Sequence, residues 1–256
     1  VLLIAGDVFD SPNPSAESQR VYYRFLREVT SENPSLQIVI IAGNHDSAAR
    51  LEAPNPLLED MNIIVRGTVR RNAEGDIDLQ HFIVPLYTEG KVTAYCLAVP
   101  YLRQGDYPSA ENYSKGVQQL YEQLFNKVKE KGIPVVAMGH LQATGSEISE
   151  DDRSERTVIG GLECVSPDAF NEAITYTALG HLHRSQRVSH RENVRYSGTP
   201  MPMSFAEKNN ASGVVMITID TEGTNIEKLE FQPLAGLVSI PPEARPLEEV
   251  LQVIGE

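Results

Sequence analysis

Ile38-Val39-Ile40-Ile41-Ala42-Gly43-Asn44-His45-Asp46 is the stretch on which the fold turns. A short apolar run rich in β-branched residues, with no polar interruption, predicts a strand buried on both faces, as in a parallel sheet covered by helices. The run stops at a glycine and passes directly into three side chains able to ligate or to move protons. Two other runs end the same way: Val135 to Met138 before Gly139-His140, and Ile174 to Leu179 before Gly180-His181-Leu182-His183. The opening Val1 to Ala5 likewise leads into Gly6-Asp7-Val8-Phe9-Asp10. Between the runs lie amphipathic helices, one carrying Val21, Tyr22, Phe25, Leu26 and Val29, the other Val117, Leu120, Tyr121, Leu124 and Val128. The second is closed by Lys129, Lys131, Gly132 and Pro134. Strand, polar loop and helix alternate, and the polar cassettes fall at strand carboxyl ends, where α/β proteins carry their sites.

The cassettes share one chemistry. A carboxylate can bridge two divalent ions, and Asp7 is placed for that role. Asn44 offers a carbonyl oxygen, and His140, His181 and His183 offer imidazole nitrogens. This mixed oxygen and nitrogen set suits two ions of the Mn, Mg, Fe or Zn class, Mn first, more than Ca. Two such ions beside a phosphate generate a nucleophile at neutral pH, align it and neutralise the phosphoryl oxygens. In Gly180-His181-Leu182-His183 an extended backbone would send both imidazoles to the same side, each towards a different ion. His45 follows Asn44 and is the candidate general acid for the leaving oxygen. Asp46 either orients it or serves as a turn or helix cap. Asp10 either caps the helix after Ser11-Pro12 or supports the site from behind. Arg184, with Arg187 and Arg191, is a candidate phosphate contact or plain solvated surface. His81 and His190 lack a cassette and read as structural.

A length of 256 residues with 41% hydrophobic content fits one large α/β domain, or a domain and part of another. The net charge of −13 speaks against indiscriminate binding to a polyanion. No apolar stretch approaches a membrane span, no signal-peptide pattern opens the chain, and Cys96 and Cys164 have neither redox nor metal spacing; a cytoplasmic protein with no membrane contact is expected. Gly67 to Pro100, with a turn at Asn72 to Asp76, reads as a hairpin or meander packed on the domain. Glu147 to Arg156 reads as a solvated loop. Arg195 to Pro200 and Gly213 to Asp220 read as later strands, and a boundary is expected near Gln232.

The cassettes Gly-Asp-x-x-Asp, Gly-Asn-His-Asp, Gly-His and Gly-His-x-His, in this order, resemble those of the calcineurin-type metallophosphoesterase superfamily. Gly160 to Glu163, Ala178 to Arg184 and Tyr196 to Phe205 narrow the resemblance to its SbcD nuclease family, from Val1 to about Gln232. The resemblance implies a four-layer α/β/β/α sandwich. It also implies that Asp7 bridges, that Asn44, His140 and His181 serve one ion and His183 the other, and that His45 is the catalytic histidine. It further implies double-strand exonuclease and single-strand endonuclease action on DNA, in break and hairpin processing. The implied partner is an SbcC-type ATPase, with the nuclease subunit a homodimer inside a heterotetramer. The domain reading is 1–232 as nuclease and 233–256 as the start of a truncated cap. The family's Asp-x-His strand precedes the first cassette, so this chain is expected to be a fragment whose second ion keeps only Asp7 and His183. A stand-alone phosphatase or cyclic-nucleotide phosphodiesterase, and a catalytically silent docking subunit, are the competing readings.

Overall fold

The structure, a computed structural model, describes residues 1–146, 164–234, 236–241 and 245–254. The strand expected from the opening stretch is β2 (Ile38–Ile41), and its four side chains are fully buried. It lies between β1 (Leu2–Ala5) and β3 (Ile63–Arg66) and runs parallel to both. Side-chain alternation sends Ile38 and Ile40 towards helix α1 (Ala16–Glu32), where they pack with Leu26. Val39 and Ile41 face a second sheet, against Val84, Cys96 and Met138. Both faces have a cover, which is why no polar residue interrupts the run. Each large apolar side chain so buried contributes about 1.5–3 kcal/mol.

Three short helices, α2 (Ala48–Glu52), α3 (Asn55–Leu58) and α4 (Leu79–Phe82), precede and follow β3. The second sheet holds β4 (Ile83–Thr88), β5 (Lys91–Ala98), β6 (Val135–His140), β7 (Tyr176–Gly180), β8 (Gln186–Val188) and β9 (Arg191–Tyr196) in the order β4-β5-β6-β7-β9-β8. Its central strands are parallel, and β4 and β8 pair antiparallel at the two edges. Helix α5 (Tyr113–Val128) covers the outer face with the five residues expected from their spacing, all buried with Leu97 and Ala137. Asn112 caps it, Oδ1 accepting the Lys115 N–H at 2.9 Å. Helix, sheet, sheet and helix thus stack around three cores, the four-layer arrangement expected.

Three details differ from the expectations. The hairpin within Gly67 to Pro100 does not pack on the domain; it supplies β4 and β5 to the main sheet, turning at Glu89-Gly90, both at positive φ. The Asn72 to Asp76 turn is present as a separate feature. Helix α1 is capped by Ser15, whose Oγ accepts the Ser18 N–H at 3.0 Å, so Asp10 is not its cap. The strand expected from Arg195 to Pro200 starts earlier, at Arg191, and ends at Tyr196. Hairpin β10 (Gly213–Asp220) and β11 (Gly223–Glu230) forms a two-stranded sheet, and α6 (Leu247–Ile254) follows. Among the described residues no helix is long and apolar enough to cross a membrane.

The two large sheets are tied at both ends. At the amino end of β2 the Gln37 side chain donates to Pro85 O at 2.9 Å and accepts from Tyr87 N at 3.2 Å. At the carboxyl end Tyr101 N donates to Ala42 O at 2.9 Å, and the His140 ring reaches Ala5 O at 2.8 Å. The candidate ligands sit at this second seam.

Candidate metal centre at the seam of the sheets

Four strand ends deliver the cassettes to one place: Asp7 after β1, Asn44 after β2, His140 closing β6 and His181 after β7. Asp7 Oδ2 is 3.1 Å from His140 Nε2. Asn44 Oδ1 is 2.9 Å from the same nitrogen and 3.2 Å from His181 Nδ1. One ligand atom each from Asp7, His140 and His181 falls within a 4.8 Å cluster.

The protonation pattern says what this cluster can hold. A backbone carbonyl only accepts, so His140 Nδ1 carries the proton that binds Ala5 O. In the neutral ring Nε2 is then a bare lone pair, and it faces a carboxylate oxygen and an amide oxygen, both acceptors. A proton on Nε2 would serve one of these contacts; a cation serves all of them. The donor set is that of a first-row divalent ion, so the residues fit the expected group. Burial pushes the pKa of Asp7 up, but a doubly protonated His140 ring, in the absence of a cation, and the His45 backbone N–H outweigh it and bring it to about 2. Asp7 is therefore an anion at neutral pH.

The local backbone is built for close approach. A Cβ on Gly43 would overlap the Asp7 carboxylate, and one on Gly180 would overlap the Ala5 carbonyl oxygen. Asp7 and His181 themselves sit at φ 49° and 104°. Positive φ in non-glycine residues costs of order 1–3 kcal/mol and is held by the surrounding structure. The extended backbone expected through Gly180 to His183 is therefore absent: β7 ends at Gly180, and the two imidazoles take different partners.

His183 Nδ1 lies 2.8 Å from Glu207 Oε1. Glu207 is buried, at 3% exposure, and also accepts from Met203 N at 3.0 Å. A carboxylate holding Nδ1–H fixes the ring and leaves Nε2 for a ligand, the usual support of a metal-bound imidazole. Sequence reasoning missed Glu207. It lies 24 residues downstream of His183 in no cassette, and only the folded chain brings the two together.

Asp46 accepts three backbone N–H groups, from Gly43 at 2.8 Å, Phe9 at 3.0 Å and Val8 at 3.1 Å. It clamps the loop after β1 to the loop after β2. The carboxyl residue beside the His45 ring is Asp10, whose carbonyl is 3.0 Å and whose Oδ1 is 3.9 Å from Nδ1. Burial pushes the pKa of Asp46 up, the three N–H groups pull it down and the charge of Asp7 pushes it up; the net shift is upward. Arg184 is exposed next to His183. Arg187 pairs with Glu192, and Arg191 donates to Pro167 O and Phe170 O, so those two guanidinium groups are engaged in the fold. His190 is exposed and His81 buried, both away from the cluster. The Glu147 to Arg156 loop and Gly160 to Glu163 lie outside the described residues.

The family model described as calcineurin-like phosphoesterase matches residues 1–185, a span that holds every candidate ligand and leaves Glu207 outside. The SbcD component of the nuclease SbcCD of Rhodobacter capsulatus is 40% identical over 230 residues, covering 85% of this chain and 56% of that protein. Its counterpart in Escherichia coli K12 is 29% identical over 254 residues, 92% of this chain and 60% of that protein. That of Bacillus subtilis is 28% identical over 234 residues, 84% and 55%. The chain spans just over half the length of these curated relatives. With side chains of ligand chemistry from several strand ends converging on one point, inside a span that the family model matches over residues 1–185, this chain belongs to the calcineurin-like phosphoesterase family.

Proposed function

We propose that this chain is the catalytic domain of a metal-dependent DNA nuclease that hydrolyses phosphodiester bonds. In this reading it acts as double-strand exonuclease and single-strand endonuclease in break and hairpin processing. Its cofactors are two divalent ions, Mn the first choice. It works in the cytoplasm with an SbcC-type ATPase, as a homodimer within a heterotetramer. Residues 1–232 form the nuclease domain and 233–256 open a capping domain. The observation that carries the chemistry is the convergence of acceptor atoms from Asp7, Asn44, His140 and His181. The substrate and partner follow from the names of the relatives.

The bound ions would supply the nucleophile and neutralise the phosphoryl oxygens. Asp7, Asn44, His140 and His181 hold one ion, and Asp7 with His183 the other, the His183 ring being fixed by Glu207. Asp46 keeps the loops that carry Asp7 and Asn44 in register. His45 donates from Nε2 to the leaving oxygen while its Nδ1–H rests on the Asp10 carbonyl. Arg184 borders the site and is the nearest basic residue to His183 in sequence.

The net charge of −13 favours a second reading, a phosphatase acting on small esters. The test is Mn-dependent turnover of end-labelled linear duplex DNA against bis(p-nitrophenyl) phosphate and a small monoester. Cleavage of the duplex, reduced about 10²- to 10⁴-fold by His45→Ala, supports the nuclease. Turnover of the small monoester with the duplex untouched supports the phosphatase.

A further inference from the structure

Past the end of β5 the chain runs Val99-Pro100-Tyr101-Leu102-Arg103 along the seam that carries the metal centre. Val99 and Leu102 are buried, at 1% and 2% exposure, and anchor the segment in the core under α5. Tyr101 is pinned from the other sheet, its N–H donating to Ala42 O, immediately before Gly43-Asn44. Its ring stands edge-to-face against His140, centroids 6.3 Å apart at 79°. The Arg103 guanidinium lies over that ring, 5.7 Å from the centroid, and the Arg103 N–H closes a turn onto Asp106 Oδ2 at 2.8 Å. The guanidinium is therefore held two ring contacts from a candidate metal ligand, on a segment fixed at both ends.

Its charge has no carboxylate partner among the described residues. Arg20, Arg27, Arg70, Arg187 and Arg195 are all paired. Arg50, Arg66, Arg71 and Arg191 also lack a carboxylate within ion-pair distance, but their guanidinium groups are taken up by backbone or amide oxygens of the fold, whereas that of Arg103 rests on the Tyr101 ring. In a chain with 35 acidic and 22 basic residues, a guanidinium held by a ring beside the candidate metal centre keeps its hydrogen-bonding edge for an anion. Stacking on an aromatic face keeps a guanidinium planar and weakly hydrated while its edge remains open to an anion, the geometry in which arginine takes a phosphate. The protein surface is otherwise repulsive to a polyanion, so strand binding must rest on a few such local contacts.

We propose that Arg103, backed by Tyr101, is a phosphate clamp that holds the nucleic-acid strand by a backbone phosphate next to the one being hydrolysed. This rests on the nuclease reading for its ligand. A small ester has no second phosphate to offer, so the clamp is also the feature that favours a polynucleotide over small esters. Tyr101 acts as a positioning residue, through the ring that carries the guanidinium.

The test is binding of a dye-labelled single-stranded oligonucleotide, followed by anisotropy in Mn²⁺ across a salt series. The host is the full chain carrying His45→Ala, to suppress turnover. Adding Arg103→Gln should raise Kd about tenfold, as loss of a charge-assisted hydrogen bond does. It should also flatten log Kd against log salt by about 0.7, the value of one single-strand phosphate contact. Tyr101→Phe keeps the platform and should bind as the host does, whereas Tyr101→Ala should weaken binding. Lys127→Gln, in the last turn of α5 at the opposite ends of the strands, removes the same charge and should change nothing. An unchanged slope for Arg103→Gln, an equal loss for Lys127→Gln, or a host that binds no oligonucleotide overturns the clamp. Cleavage is scored separately: duplex cleavage without an Arg103 effect on binding removes the clamp and keeps the nuclease, while turnover of a small monoester with the duplex untouched removes the nuclease reading and the clamp with it.

Discussion

His140 and His183 belong to cassettes of the same kind but are held by different means. His140 is 2% exposed and donates from Nδ1 to a backbone carbonyl of β1, so its ring is fixed by the contact between the two sheets. His183 is held by a side chain, Glu207, from the short turn Phe205–Glu207. Met201 and Met203 before that turn, and Phe205 at its start, are more than half exposed. One imidazole thus depends on the whole fold, and the other on a loop whose outer side is solvated. Glu207 accepts both the loop's Met203 N–H and the His183 ring, so whatever shifts the loop shifts the ring. The comparison teaches that the two imidazoles are held with different security: His140 cannot move without disturbing the contact between the sheets, while His183 moves with its loop.

The largest break falls on the His140 side. Gly180→Ala puts a Cβ into the Ala5 carbonyl and against the His140 ring, forcing β7 off β1. It should cost about 3 kcal/mol in urea unfolding and abolish tight Mn²⁺ uptake in calorimetry. On the His183 side the effect should be confined. On the two-ion proposal, Glu207→Gln replaces the ring's charged acceptor and should weaken an ion taken at His183 about 10- to 100-fold, without weakening uptake at Asp7, His140 and His181. A titration that shows both ions weakened together would erase the distinction between the two halves.

A smaller, pH-dependent term comes from a buried cluster away from the site, and it tests whether the strand-end region alone governs stability. Glu52 accepts from Gly67 N at 3.1 Å and from Thr68 N and Oγ1, both at 2.8 Å, and pairs with Arg70 beside His81. Burial raises the Glu52 pKa, but the Thr68 and Arg70 hydrogen bonds outweigh it and the net shift is downward. Burial and the charge of Arg66 lower that of His81. Both shifts have one sign. The folded state binds fewer protons than the unfolded chain below about pH 6.5 for His81 and below about 4.3 for Glu52. Stability is then full at pH 7 and falls on acidification, in two stages. Glu52→Gln should remove the lower stage from urea midpoints measured between pH 7 and 3.5.

The strand-end ligands were legible because each needs only local context: an apolar run, a glycine, and a side chain of the right chemistry. Asp7, Asn44, His140 and His181 meet in the structure for that reason. The layered fold was legible from β2, since a strand without alternation requires two covers. What was not legible depends on distance or on backbone detail. Glu207 sits in Phe205-Ala206-Glu207-Lys208, an ordinary surface composition, and gains its role through burial alone. The break in the extended backbone at His181 is one positive φ that no residue type announces. Asp46 followed His45 closely enough to suggest a side-chain partnership, yet backbone N–H groups from two loops claim its carboxylate. Strand β8, three residues long, is too short to leave a periodic pattern.

The central claim is that the atoms gathered around His140 Nε2 hold a divalent ion. Electron spin echo spectroscopy of the chain with one equivalent of Mn²⁺ tests it most directly, because imidazole nitrogens bound to Mn²⁺ modulate the echo. The account predicts nitrogen modulation that weakens in His140→Ala and in His181→Ala and persists in His190→Ala. Modulation indifferent to His140→Ala, or none at all, would contradict it.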